Sequence, residues 1–166
     1  DIGKFITTYC DEYKIANISV QAWGGEPLLE KNKIIALTKF ITPQKTKVHY
    51  SIETNATLLT NDVIEELYKN HIGIGISIDG DRKCHDLQRT FVSGKGSYDT
   101  VKKNLLQAQR YYKNKIGTIT TITKQTAVHI EKIIEHLVLD LHISNIKLNF
   151  VHASTYTHGQ NQCLNT

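Results

Sequence analysis

The chain has 166 residues, 40% of them hydrophobic and 22% charged, with a formal net charge of +4. That length supports one sizeable core and a single domain over 1–166, and so mild a charge, with no dense Lys/Arg run, argues against a nucleic-acid partner. No apolar stretch approaches a membrane-spanning length and no signal peptide is visible, so a cytoplasmic protein is expected, with no membrane partner. In chain order, a helical pattern at 2–14 precedes a strand at 17–23. Leu28 to Ile41 reads as a helix closed by Pro43, and 47–54 as a strand. Thr60 then caps a helix with Val63, Ile64 and Leu67 on one face, and 73–79 is the third strand. Ser97 starts a helix to about Tyr112, carrying Val101, Leu105 and Ala108. A strand at 116–123, a helix at Ala127–Leu141 striped by Ile130, Ile133, Ile134 and Leu137, and a last strand at 145–151 complete the series. Strands separated by crossover helices specify a parallel sheet in an α/β fold.

The strands alternate where doubly covered parallel strands run apolar throughout. Ile72, Ile74, Ile76 and Ile78 oppose Gly73, Gly75, Ser77 and Asp79. Val48, Tyr50 and Ile52 oppose His49, Ser51, Glu53 and Asn55, Ile18, Val20 and Ala22 oppose Ser19 and Gln21, and Ile146, Leu148 and Phe150 oppose Lys147 and Asn149. One face is greasy and packs on helices; the other is small or polar. A barrel with a polar lumen and an open sheet with one exposed face both fit. The barrel is favoured, because crossovers on one side curl a sheet around its other face. A full eight-unit barrel takes ~250 residues, so a partial barrel or a fragment is expected, with 17–23 and 145–151 as exposed sheet edges.

Working residues of βα barrels sit at strand ends. After the first strand the chain reads Gly24-Gly25-Glu26-Pro27. Two glycines remove side chains and the proline removes a ladder N–H, leaving a lone carboxylate on a tight turn, placed to meet a positive group. Residues 80–96 form an unusually long connection offering Arg82, His85, Asp86 and Arg89. His85 and Asp86 read as loop-ordering residues, and His49, Ser51 and Glu53 as buried polar packing deeper in the lumen. Cys10, Cys84 and Cys163 are far apart, odd in number and without CxxC or CxxxCxxC spacing, so the segment has no metal motif of its own.

The run GGEPLL (24–29), TNATLLT (54–60), GIGISIDG (73–80), HD..R (85–89) and GKGSYDTV (94–101) resembles the radical S-adenosylmethionine (SAM) enzymes. More narrowly, it is similar to the branch with a cysteine-rich C-terminal extension, typified by anaerobic sulfatase-maturating enzymes. The likeness covers 18 to about 101 well and the rest loosely. It implies a TIM-like partial (β/α)6 barrel, present here as about strands 2–6, without the cysteine-rich domain. It also implies a [4Fe–4S] cluster in the full-length parent, held by a CxxxCxxC loop outside this segment. Gly24, Gly25, Glu26 and Pro27 would form the turn that receives the SAM ammonium on Glu26. Ser77 and Arg89 would hold the SAM carboxylate and ribose, the arginine through its planar fork. Asn55 and Asp79 would either contact cofactor or substrate or shape their own turns. No catalytic base is assigned.

The sequence departs from the family at Ala56, where glycine is usual, and at Glu53, where glutamine is expected. The implied activity is abstraction of hydrogen from a protein or peptide by a 5′-deoxyadenosyl radical, with electrons from a donor such as flavodoxin or ferredoxin. Oxidation of a sulfatase Cys or Ser to formylglycine is the first reading. A maturase of a ribosomally made peptide is the alternative enzyme, and a non-catalytic scaffold that kept the barrel is the alternative of another class.

Overall fold

The computed structural model describes residues 2–151, so Cys163 lies outside the described residues. One sheet holds β1 (Asn17–Ala22), β2 (Lys47–Thr54), β3 (Ile72–Ser77), β4 (Gly117–Ile122) and β5 (Asn145–Phe150), in that spatial order. Every neighbouring pair is parallel. Spatial order that repeats chain order is the succession of a βα barrel, whereas a doubly wound sheet reverses direction partway. The helices are α1 (Ile2–Glu12), α2 (Lys31–Phe40), α3 (Asn61–Lys69), α4 (Arg82–Asp86), α5 (Tyr98–Tyr112), α6 (Lys124–Ala127) and α7 (Ile130–Glu135).

The core follows from the alternation. Ile72, Ile74, Ile76 and Ile78 are all buried, each contributing about 1.5–3 kcal/mol of apolar burial. They share one cluster with Ile64 and Leu67 of α3 and Val101, Leu105 and Ala108 of α5, residues spaced to fall on one helix face. The opposite sheet face curls. Glu53 on β2 reaches Lys147 on β5 at 3.4 Å. Three strand spacings of about 4.8 Å separate those strands in a flat sheet, so the contact requires the sheet to bend around its polar face. Glycines on the strand between make room: a Cβ on Gly75 would stand 2.8 Å from Ile119 Cδ1. The result is a five-stranded half-barrel.

Several elements differ from the sequence reading. The first helix of the 28–41 segment is broken: Pro27–Glu30 forms a 3₁₀ turn before α2 starts, because Pro27 and the Glu26 cap set a tighter entry. Thr60 occupies the N-cap of α3, but its side chain makes no capping bond. The third strand stops at Ser77, and the long connection contains α4, capped by Asp81 through Cys84 N–H at 2.9 Å. The helix read at 127–141 is three pieces: α6, α7 and a π turn over His136–Asp140. A Thr123–Thr126 capping box starts α6 three residues early.

Candidate functional site

The first strand end is a tie between neighbours. Gly24 and Gly25 take φ of 97° and 51°, values that strain an L side chain, and a Cβ on either would meet nothing within 4 Å. The two glycines therefore open the backbone to approach. Glu26 is not the lone carboxylate that the sequence suggested. Its Oε1 accepts from Leu28 N–H at 3.1 Å and from the Thr54 hydroxyl at 2.6 Å, and its Oε2 accepts from Asn55 N–H at 2.9 Å. The parallel register, with Ala22 opposite Ile52, brings Thr54 and Asn55 alongside the turn. A carboxylate offers about four acceptor positions, so Oε2 still has one open to a cation.

At the second strand end Asn55 shapes its own turn. Its Oδ1 accepts from Thr57 N–H at 2.9 Å and from the Thr57 hydroxyl at 2.7 Å. Ala56 sits beyond it at φ 59°, fully buried, with its carbonyl accepting from Asn104 Nδ2 at 2.8 Å. Alanine occupies a left-handed position there, which is the conformational reason a glycine suits it.

The third strand end carries the strongest electrostatics. The Asp79 side chain is 1% exposed, and that of Arg89 is 26% exposed. Arg89 donates from Nε to Asp79 Oδ2 at 2.6 Å and from Nη2 to Oδ1 at 3.2 Å, and Nη2 also reaches the Thr121 hydroxyl at 3.3 Å. Thr121 N–H donates to Asp79 Oδ1 at 2.7 Å. Asp79 is thus a holder of Arg89, pinned to β4, while Arg89 Nη1 has no protein partner among the described residues. Ser77, half-buried on the lumen face of β3, has a free hydroxyl among the described residues.

The connection after β3 folds around His85, which is fully buried. Nδ1 accepts from Asp79 N–H at 3.2 Å, so the hydrogen-bond network assigns the proton to Nε2, which lies 3.0 Å from Ser97 Oγ. Burial chiefly, with Arg89 nearby, pushes the imidazole pKa down to about 4, against the pull of Asp79 and Asp86. Asp86 accepts from Tyr98 N–H at 2.9 Å and fills the space a Gly96 side chain would need. Both residues therefore order the loop. Ser97, which was to start α5, is its N-cap but turns its hydroxyl to Arg89 O at 2.9 Å. Periodicity carries no trace of such a switch.

Below these ends lies an open concavity of about 260 Å³, lined by Gln21, Ser51, Glu53, Gly73, Gly75 and Lys147 among others. The buried polar packing expected there is absent: His49 is exposed, and Ser51 and Glu53 are half-buried. With five strands the lumen stays open to solvent.

The family model described as the Radical SAM superfamily matches residues 6–137. The chain belongs to the radical SAM superfamily. Among curated relatives, a cysteine-type anaerobic sulfatase-maturating enzyme of Clostridium novyi (strain NT) is 33% identical over 114 residues, 66% of this chain and 30% of that enzyme. An uncharacterized protein of Methanocaldococcus jannaschii is 32% identical over 124 residues, 73% of this chain and 42% of that protein. The chain thus spans less than half the length of either relative. The solved structure of native anSMEcpe with bound AdoMet and Cp18Cys peptide superposes with a TM-score of 0.78 at 22% identity, over 90% of this chain and 43% of that one. The half-barrel therefore matches part of the radical SAM barrel fold.

Among the described residues no cysteine set is spaced to hold the cluster of a radical SAM protein. Cys10 and Cys84 are free and buried, and burial, reinforced by Asp81, raises the Cys84 thiol to about 11. Among the described residues no group of three His, Cys, Asp or Glu is suited to a metal ion, and no helix is long and apolar enough to cross a membrane.

Proposed function

We propose that this chain is the SAM-binding part of a radical SAM enzyme core whose substrate is a protein or peptide. The observation that carries it is the Asp79–Arg89 pair, which fixes a guanidinium at a strand end with Nη1 unused, on the same end of the sheet as the Glu26 turn. The residues fit the two charged groups at the amino-acid end of the cofactor, its ammonium and its carboxylate. The open position on Glu26 Oε2 accepts from the methionine ammonium, where Gly24 and Gly25 let the backbone come close and Pro27 fixes the turn. Arg89 Nη1 and the Ser77 hydroxyl donate to the carboxylate or ribose. Asn55, whose Oδ1 serves its turn, offers only its amide N–H₂ group. When bound and reductively cleaved, SAM supplies a 5′-deoxyadenosyl radical that abstracts hydrogen. The chain's own share is to orient the cofactor and, with the rest of the barrel, to exclude water.

The finer reading is oxidation of a sulfatase Cys or Ser to formylglycine, supported by the name of the Clostridium novyi relative. In that reading the chain is one domain's worth of a longer cytoplasmic enzyme, with its cluster ligands elsewhere and a flavodoxin- or ferredoxin-like donor. The test is SAM titration by calorimetry on the full-length, anaerobically prepared enzyme. Glu26→Gln is expected to weaken SAM binding roughly ten- to a hundredfold through one lost charge-assisted bond; a dissociation constant within twofold of wild type removes Glu26 from the site. Incubation with a sulfatase-derived peptide, SAM and reductant, followed by hydrazide capture of an aldehyde, tests the substrate.

A further inference from the structure

We propose that His85 is a positioning residue for Arg89, acting through a closed hydrogen-bonded circuit; this rests on the cofactor reading of Arg89. The circuit starts at Asp79 N–H, which donates to His85 Nδ1. His85 Nε2–H donates to Ser97 Oγ, and Ser97 Oγ–H donates to the Arg89 carbonyl. The Arg89 side chain then returns to the Asp79 carboxylate through two bonds. A backbone N–H faces Nδ1, so the order of donors and acceptors around the circuit is fixed in one direction. Any buried neutral imidazole needs a partner for each nitrogen, so what matters is which partners these are. Here its two nitrogens lead to the two residues of the ion pair, gripping Asp79 by its backbone and Arg89 at the end opposite its guanidinium.

One side-chain tie lies outside the circuit, from Arg89 Nη2 to the Thr121 hydroxyl at 3.3 Å. The arginine's neighbours Leu87 and Val92 are exposed and Phe91 is only half-buried, so apolar anchoring of this stretch of loop is slight. Its backbone ties run through the circuit's members: Arg89 N–H donates to His85 O at 2.9 Å, and Ser97 N–H to Arg89 O at 3.2 Å. The Tyr98 ring packs edge-on to the imidazole with centroids 5.8 Å apart and blocks its rotation. Precise placement of a ligand-binding side chain requires such support from the residues behind it.

The test uses the full-length holoenzyme and reads SAM affinity by calorimetry, together with thermal melting. Arg89→Lys is the reference variant. Ser97→Ala opens the circuit without touching a group that meets the cofactor, and is expected to weaken SAM binding roughly five- to tenfold, with little further loss when combined with Arg89→Lys, since both act through one unit. Ser97→Thr, which keeps the hydroxyl, restores affinity. His85→Gln, which retains a donor toward Ser97 but loses the acceptor for Asp79 N–H, weakens binding as well. A lower melting temperature with unchanged SAM affinity in Ser97→Ala would mean a purely structural role and overturns the proposal, as does full additivity with Arg89→Lys. If Arg89→Lys itself binds SAM like wild type, the cofactor reading fails and this inference falls with it. If His85→Gln does not fold, the Ser97 pair of variants decides alone.

Discussion

The turn after β1 and the long connection after β3 both deliver a charged side chain to the same end of the sheet, by opposite means. Glu26 is placed by strand register: Thr54 and Asn55 come alongside it when β1 and β2 pair, and Leu28 N–H donates to it from its own turn. Arg89 lies ten residues from its partner Asp79 and is placed by side chains of the loop itself. A register-placed group shares the stability of the sheet. A loop-placed group depends on a buried polar network, in which losing one member leaves the others unpaired at a cost.

Asp79→Asn attacks the loop-placed side hardest. It leaves Arg89 facing a neutral amide while keeping most of the packing. We expect a loss of about 2–4 kcal/mol in urea unfolding, below the full cost of a wholly buried pair because Arg89 is partly exposed. A loss as small as that of an exposed pair would show that the loop is not held by this bond. Next comes pH. His85 has a folded pKa of about 4, below its ordinary 6.5. The unfolded chain takes up the proton first as pH falls, so stability drops from about pH 6.5 down to about 4 and then levels. The drop should be about 2–3 kcal/mol. A urea-midpoint series from pH 7 to 4 should therefore be steeper for wild type than for His85→Gln; equal slopes refute the assignment. On the register-placed side, Thr54→Val removes the donor to Glu26 and the acceptor for Ala56 N–H, at about 1–2 kcal/mol. The smallest effect is expected for Ala56→Gly. It relieves left-handed strain but deletes a buried methyl, two terms of about 1 kcal/mol each, so melting should shift by only a few degrees.

How much of this was legible in the sequence divides along the same line. The half-barrel was readable because it rests on period-2 alternation and repeated crossovers, both local patterns. The strand at 47–54 was found to the residue, and the lumen was correctly assigned to the glycine and polar face. The residues named for the site do gather at one end. Their pairings were hidden. Nothing in spacing says that Thr54 approaches Glu26, since that needs the β1–β2 register, or that Asp79 faces Arg89 rather than a ligand. His85 and Asp86 were read correctly as loop-ordering, but the partner that makes His85 informative, Ser97, was taken for a simple helix start. The broken helix at 124–140 was missed because its apolar stripe stays continuous through the π turn, with Ile133 and Leu137 still buried.

That π turn bears on which insertions and deletions the chain tolerates. A π turn spends one more residue than α pitch requires over the same span. Removing one residue between His136 and Asp140 lets the segment revert to α pitch with Leu141 and Ile143 still delivered to the core, at the expense of the spacing of the His136–Asp140 contact. The same deletion in the middle of α5 has no such slack: it would swing everything beyond it by about 100° around the helix axis, carrying Ala108 and Tyr112 out of the interior. The molecule therefore has one helical segment whose length is free to vary by a residue and another whose length is frozen.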